Sequence, residues 1–411
     1  MQYEELIEDI FRRHPSVQNT GFHNGSYKAG IDSMTEFSSI LADPWKSYDC
    51  IHIAGTNGKG SVSSMLASAI SSGKNTAVGL YTSPHLLDFR ERIKIIRNGL
   101  FEMPSKDEVM QFLEKYAKEI EGLSFFEITT GLAFWWFQKQ NVSVAVIETG
   151  LGGRLDSTNI ITPVLSVITS IGLDHCALLG DTTPKIAYEK AGIIKPGIPA
   201  LIWKRESDTA GVFENKAAET GAPLYFAEET IPQIPDWELD LKGEYQSINL
   251  RTVIAALQIL AIKPEREAIE HTARITGLHG RWEILGENPL IISDIGHNPA
   301  ALKWNFAQLQ EYGRPLRIVY GIMADKALED ITPLMPSNAI YYLCAPKGPR
   351  SLPVDILQRR LADMRSDLET LTFGSVADAV KCAISQSRPN DIIYIGGSNF
   401  VVAEAMPLFI G

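Results

Sequence analysis

Cys50-Ile51-His52-Ile53-Ala54 runs directly into Gly55-Thr56-Asn57-Gly58-Lys59-Gly60-Ser61, and a helical pattern follows from Val62 to Ser72 before stopping at Gly73. The apolar run reads as a buried strand, and the stop at glycine suits a helix C-terminus. A glycine-rich turn between strand and helix lets backbone N–H groups approach phosphate oxygens at the positive end of the helix. A lysine adds a mobile cation there, and a hydroxyl can ligate Mg²⁺. A glycine-rich turn with an exposed lysine is the plainer reading. The strand before, the helix after and the Lys-Gly-Ser ending together favour phosphate binding. Gly60 separates Lys59 from Ser61, whereas the common P-loop pattern has lysine and hydroxyl adjacent, so a specialised ligase fits better than a generic kinase or GTPase.

Outward from this loop, short apolar runs alternate with helical periodicity, the pattern of an α/β protein with largely parallel strands. Strands are predicted at 50–54, 76–80, 142–148 and 164–169, with a helix over 105–120 opened by Ser105 as N-cap and Asp107-Glu108 in its first turn. A second alternation, with strands at 290–293, 317–320, 340–343 and 392–395, predicts a smaller α/β sheet. Between the two lies Gly277-Leu278-His279-Gly280-Arg281-Trp282-Glu283, whose glycines flank a polar turn as a linker would. The domains are therefore expected at 1–279 and 280–411. The proline-rich piece at 231–235 reads as a loop or edge strand.

Mg²⁺ takes oxygen ligands, and in an open parallel sheet they are expected at the carboxyl ends of strands. Ser83 in Thr82-Ser83-Pro84-His85, Glu148 before Thr149-Gly150, and Asp174-His175 each follow a predicted strand. Any one of them alone is better explained as a helix or turn cap, or as a surface histidine. Three such positions around one phosphate loop favour a functional site.

The chain has 411 residues, 45% apolar and 21% charged, more than one core usually organises and ordinary for a globular enzyme. The first residues, Met1-Gln2-Tyr3-Glu4-Glu5, are acidic, and no apolar run approaches a membrane span, so a cytoplasmic location is expected. A net charge of −11 offers no footprint for nucleic acid or an anionic membrane, and small-molecule substrates fit better. Cys50, Cys176, Cys344 and Cys382 are scattered without a CxxC pair, so neither a zinc knuckle nor a disulfide framework is written here.

Several strings together carry a resemblance: GTNGKGS at 55–61, TSPHL at 82–86, ETGLGGRLDSTN at 148–159, LDH at 173–175, EKAGIIKPG at 189–197, GRWE at 280–283, DIGHNP at 294–299 and GGSNFVVAEA at 396–405. In this order, over nearly the whole chain, they resemble folylpolyglutamate synthase/dihydrofolate synthase, a branch of the Mur ligase superfamily. The resemblance implies an α/β fold with a P-loop-containing, Mur ligase-like ATPase domain and a smaller Rossmann-like C-terminal domain, with ATP in the cleft between them. It implies ATP-dependent phosphorylation of a carboxylate, then attack by the amine of L-glutamate on the acyl phosphate, in folate biosynthesis. The acceptor would be dihydropteroate, tetrahydrofolate (poly)glutamate, or both. A Mur-type ligase on another carboxylate and a non-catalytic ATP-binding module are the alternatives.

By the same resemblance, Asn57, Gly58, Lys59, Gly60 and Ser61 hold the ATP phosphates, and Asn249, Arg281 and Asp294 complete the nucleotide site. Ser61, Ser83 and Glu148 would ligate one Mg²⁺, and His175 a second. Lys190 matches a lysine carrying a CO₂-derived carbamate, whose oxygens offer themselves to metal; its plainer reading is a solvated lysine near a helix end. K⁺ is implied as a further ion. Lys59, Lys190 and His297 are the catalytic candidates. Gly30, Ile31, Asp32, Ser124, Phe125, Phe126, Leu155, Asp156 and Ser157 resemble pterin contacts, with at least one of the two phenylalanines expected in the core, and Ser398 is placed with substrate. The resemblance implies a monomer. Three positions depart from the usual pattern: Tyr245-Gln246 before Asn249 where HQxxN is common, Ile295 inside the Asp294–Pro299 motif, and Asn399-Phe400 where GSLY is common. Asp294 and His297 keep their spacing.

Overall fold

The computed structural model describes residues 3–14, 30–73 and 76–410, so Met1 and Gln2 of the acidic N-terminus lie outside the described residues. The chain divides into two compact units, Met1–Asp240 with Gln246–Leu278, and Leu241–Tyr245 with His279–Gly411. The second unit thus takes in a five-residue segment, 241–245, far ahead of the linker.

The first unit is built on an eight-stranded sheet in the order β4-β3-β2-β5-β1-β6-β7-β8. Its strands are β1 Asp49–Ala54, β2 Val78–Tyr81, β3 Ile93–Arg97, β4 Leu100–Glu102, β5 Val144–Glu148, β6 Leu165–Ile168, β7 Ala200–Ile202 and β8 Leu224–Phe226. β2, β5, β1, β6, β7 and β8 run parallel, while β3 and β4 are antiparallel additions at one edge. β1, β5 and β6 are buried almost throughout because helices cover both faces, which is why they read as unbroken apolar runs. The helix Lys59–Ser71 is buried from Gly60 to Ser71, and its serines and alanines let neighbours approach closely; Ser68 Oγ donates to the Ala268 carbonyl at 2.6 Å. The 105–120 expectation ends early. Ser105 caps the helix Lys106–Lys115 with a full capping box, but turns follow from Tyr116 to Gly122. Residues 231–235 are irregular.

The second unit carries a six-stranded sheet in the order β13-β12-β11-β14-β10-β9. The strands are β9 Glu283–Glu287, β10 Leu290–Ser293, β11 Leu316–Tyr320, β12 Ala339–Leu343, β13 Glu369–Thr372 and β14 Ile392–Gly396. All run parallel except β9. One face packs on Trp282, Leu302 and Phe306, the other on Val376, Val380 and Val401. The helix Pro299–Glu311 starts where Asn298 caps the Ala301 N–H and proline occupies the first turn. Among the described residues no helix is long and apolar enough to cross a membrane.

Candidate active site

β1 lies between β5 and β6, while the chain passes from β1 to β2 across β5 and from β5 to β6 across β1. The carboxyl ends of these strands therefore surround one crevice, the position where open parallel sheets hold ligands. The loop after β1 needs both of its early glycines. Gly55 has φ +154 and a Cβ there would lie 1.7 Å from Thr169 Oγ1; Gly58 has φ +88 and a Cβ would lie 2.4 Å from Asn249 Oδ1. Segment 169–172 clamps the loop: Thr169 and Ser170 hydroxyls donate to the Asn57 carbonyl at 2.8 and 3.1 Å, and Thr56 Oγ1 donates to the Gly172 carbonyl at 3.1 Å.

Two amines converge on one carbonyl of this loop. Lys59 Nζ donates to the Gly55 oxygen at 3.1 Å, and Lys190 Nζ donates to the same oxygen at 2.7 Å. Lys190 ends the helix Thr183–Ala191 and is 3% exposed, so it is no solvated surface lysine. Burial, helped by the charge of Lys59, lowers its pKa to about 7 against the opposing pull of Asp174 and Asp156.

Glu148, buried at the end of β5, accepts from the Ser83 N–H at 3.2 Å and stands 3.9 Å from Lys59 Nζ. The structure thus gathers Lys59, Ser83 and Glu148, with Ser61 two residues further along the loop's helix. Among the described residues no group of three or more His, Cys, Asp or Glu is placed to hold a metal. A metal at Glu148 would therefore complete its shell with serine, phosphate and water oxygens, a donor set that fits Mg²⁺. His175 adopts φ 53 and lies 3.8 Å from Asp174 Oδ2 through Nε2, on the loop after β6.

Gln246 is the residue the sequence reading passed over. It opens the helix Gln246–Ile259, its Nε2 donates to Ser61 Oγ at 3.1 Å, and Asn249 Nδ2 donates to its Oε1 at 2.8 Å. One helix face thereby orients the loop hydroxyl and abuts Gly58. The i, i+3 spacing of Gln246 and Asn249 is the signal that could have found the pair.

The pterin candidates divide. Ser124 caps the helix Phe125–Lys139 in a box with Glu127, and Ser33 bonds the Glu127 carboxylate, tying the segment Gly30-Ile31-Asp32 to that helix. Ile31 is the N-cap position of the helix Asp32–Ile40, and Asp32 is exposed. Phe125 is core, stacked on Phe11 at 4.1 Å between centroids. Phe126 stays partly exposed and lies over Gly150, where a Cβ would come within 2.6 Å of its ring. Asp156 is committed to its own loop: its carboxylate accepts from Leu151 N at 2.8 Å, Thr158 N at 3.0 Å and Thr158 Oγ1 at 2.5 Å. His52 Nε2 meets Thr158 Oγ1 at 2.8 Å; since that hydroxyl donates to Asp156, the imidazole must donate to it. Burial raises the Asp156 carboxyl and lowers His52 to about 3. Leu155 and Ser157 flank Asp156, partly buried.

In the second unit, Asp294 follows β10 and is 3% exposed. Its Oδ2 accepts from Trp282 N at 2.8 Å and Tyr245 Oη at 2.6 Å, and its Oδ1 from Gly296 N and Asn305 Nδ2, both at 2.7 Å. Arg281 Nη1 lies 3.3 Å from the His279 and Gly280 carbonyls. His297 Nδ1 lies 3.0 Å from the Ile295 carbonyl, to which it donates. Ser398 caps the short helix Asn399–Ala405 by accepting from Phe400 N.

Known proteins resemble this chain closely. The family model described as Mur ligase, glutamate ligase domain, matches residues 280–399. The chain is 30% identical to folylpolyglutamate synthase of Lacticaseibacillus casei, over 100% of this chain and 99% of that protein. It is 32% identical to dihydrofolate synthase/folylpolyglutamate synthase of Escherichia coli K12, over 86% and 85%. It spans about half the length of a Haloferax volcanii relative, a probable bifunctional folylpolyglutamate synthase/dihydropteroate synthase 30% identical to it, with 98% of this chain and 50% of that protein covered. Among solved structures, E. coli FolC in complex with DHPP and ADP aligns with a TM-score of 0.85 at 25% identity, covering 99% of this chain and 97% of that one. The bifunctional folylpolyglutamate synthase/dihydrofolate synthase of Yersinia pestis, complexed with AMPPNP and Mn ion, aligns with a TM-score of 0.83 at 27% identity, covering 99% and 98%.

Proposed function

From the premise that the chain belongs to the folylpolyglutamate synthase/dihydrofolate synthase family, we propose that it is an ATP-dependent ligase joining L-glutamate to dihydropteroate, to tetrahydrofolate (poly)glutamate, or to both. The observation that carries the reading is the convergence of a phosphate loop, Lys59, Glu148 and the buried Lys190 at the carboxyl ends of adjacent parallel strands.

A carboxylate has no leaving group at neutral pH, and phosphorylation supplies one. The backbone N–H groups from Asn57 to Ser61 cradle the ATP phosphates at the start of the helix, and Lys59 neutralises charge as the terminal phosphoryl group moves to the acceptor carboxylate. The glutamate amine then attacks the acyl phosphate, forming the amide and expelling phosphate. Mg²⁺ supplies Lewis-acid stabilisation of the phosphoryl charge when bound. Ser61, Ser83 and Glu148 would hold one ion, His175 and a carbamate on Lys190 a second, and K⁺ is the further ion the family suggests. With its pKa lowered to about 7, the Lys190 amine is about half neutral at pH 7, and the neutral amine is the form that adds CO₂. By this reading Asn249 is the first unit's nucleotide contact, Arg281 and the segment that Asp294 orders are the second unit's, and His297 is its catalytic candidate. Phe126 is the aromatic left to stack on a pterin. The enzyme works as a cytoplasmic monomer on small molecules.

Purified protein with Mg-ATP and glutamate should release phosphate when dihydropteroate or tetrahydrofolate is added, and not when glutamate or the acceptor is omitted. Release with both acceptors establishes two activities, and release with one names it. No release with either, from folded protein supplied with bicarbonate, overturns the reading.

A further inference from the structure

We propose that Tyr245 is a positioning residue for nucleotide use: its hydroxyl holds the Asp294 carboxylate in the orientation that fixes the backbone beside Arg281 and beside His297. A carboxylate has about four acceptor positions, and at Asp294 protein donors take all four. Two of those donors are main-chain N–H groups, Trp282 N next to Arg281 and Gly296 N next to His297. Asp294 therefore acts on both functional side chains through the chain that carries them. Tyr245 shares Oδ2 with Trp282 N, at 2.6 and 2.8 Å, so losing the hydroxyl leaves half of that oxygen's bonding to one amide in a site that is 3% exposed.

The segment is shaped to deliver this hydroxyl. A Cβ at Gly243 would lie 2.5 Å from the Tyr245 ring, so the ring rests on a position that only glycine can occupy. On the other side of the carboxylate, Asn305 Nδ2 donates both to Oδ1 and to Tyr394 Oη, at 2.7 and 2.9 Å, which anchors the hub to β14. Burial and the Asp294 charge hold the Tyr245 phenol far above its usual range, so it remains a donor at every working pH. Gln246, the next residue, bonds Ser61 of the phosphate loop in the first unit.

The kinetic part of the test rests on the ligase reading, and the binding part does not. Tyr245→Phe keeps the ring over Gly243 and removes only the hydroxyl. We expect the Kd for Mg-ADP to rise about tenfold and kcat/KM for ATP to fall by a similar factor, with KM for the pteroate or folate acceptor unchanged. Incorporation of 4-aminophenylalanine at 245 restores a donor in the same place and should recover binding to within about threefold of wild type; this variant also serves if Tyr245→Phe does not fold. Unaltered Mg-ADP affinity in Tyr245→Phe overturns the proposal. So does a loss seen only as a smaller folded fraction with normal KM, or a 4-aminophenylalanine variant still tenfold weak. If wild type binds Mg-ADP but releases no phosphate, the ligase reading fails while the two affinities still decide the role of Tyr245.

Discussion

Replacing Lys190 by alanine probes the proposed carbamate, because no other group in the site has a pKa lowered from the lysine range into the neutral one. Its Nζ is buried and donates to the Gly55 carbonyl at 2.7 Å, and burial first, then Lys59, lowers its pKa from 10.5 to about 7. Between those values the unfolded chain holds a proton that the folded chain lacks. Stability therefore rises as pH climbs from about 7 towards 10.5, and the full cost of a buried ammonium is felt below about 7. At ~1.4 kcal/mol per unit that cost is about 5 kcal/mol. At about pH 7.5 an amine with that pKa is roughly three-quarters neutral, against about one molecule in a thousand for an ordinary lysine. The neutral amine attacks CO₂: an N–C bond forms, Nζ gives up a proton, and a carbamate anion remains. Carbon NMR of metal-free protein in ¹³C-labelled CO₂, held at constant dissolved CO₂ across a pH series, should show a carbamate signal already near neutral pH, where ordinary lysines stay protonated, and Lys190→Ala should abolish it. Activity of Lys190→Ala should drop about a hundredfold or more, the scale for losing a group that supports a metal, and acetate or formate should restore part of it. A fully active Lys190→Ala protein, or a wild-type carbamate signal absent at neutral pH and no stronger than that of ordinary lysines, would refute the reasoning.

Gly58→Ala should fold but bind Mg-ADP at least tenfold more weakly by calorimetry: φ +88 costs a side chain about 1–2 kcal/mol, and the new Cβ would displace the Asn249 amide lying 2.4 Å away. Normal affinity would show that the loop tolerates a shift of Asn249. Gln246→Leu removes the donor to Ser61 Oγ and should raise the Mg²⁺ concentration for half-maximal phosphate release several-fold while leaving KM for glutamate alone; an unchanged Mg²⁺ dependence would mean that the hydroxyl needs no such orientation.

The parallel strands were legible because burial on both faces makes them continuous apolar runs: 290–293 reappears unchanged, and 50–54 and 392–395 reappear as strands with one end shifted by a residue. The added edge was missed although its signal was present. Asn98-Gly99, both at positive φ, turns β3 into β4 as a two-residue hairpin, and Asn-Gly between apolar runs is a strong sign of one. Single helical ends were harder. Residues 116–122 keep the helical pattern of 106–115, yet the backbone leaves the helix at Tyr116 and reaches Gly122 through turns. The crossing of 241–245 into the second unit has no local signature, since it depends on Tyr245 meeting Asp294, 49 positions away. Lys190 could not be placed by type either: its burial against Gly55 is a product of the sheet order, which brings the helix Thr183–Ala191 beside the loop after β1.

Asp156 and Asp294 each spend part of their acceptor capacity on their own local turn. Each is a candidate acceptor for a substrate or nucleotide, and each accepts from the backbone N–H two residues on, Thr158 at 3.0 Å and Gly296 at 2.7 Å. That is the local turn which short acidic side chains favour, and it commits one oxygen before tertiary structure adds more donors. Glu148 is one methylene longer and sits at a strand end. Its neighbours are the Ser83 N–H at 3.2 Å and the Lys59 ammonium at 3.9 Å, both from other strands' loops. Side-chain length and position thus sort these three carboxylates. Asp156 braces the loop that starts beside Phe126, Asp294 bonds the segments that carry Arg281 and His297, and Glu148 at the end of a central strand stands beside Lys59 of the loop after β1. A nucleotide or pterin contact through Asp156 or Asp294 would share an oxygen that already accepts from a protein donor, whereas Glu148 has the Lys59 ammonium 3.9 Å away as a charge partner.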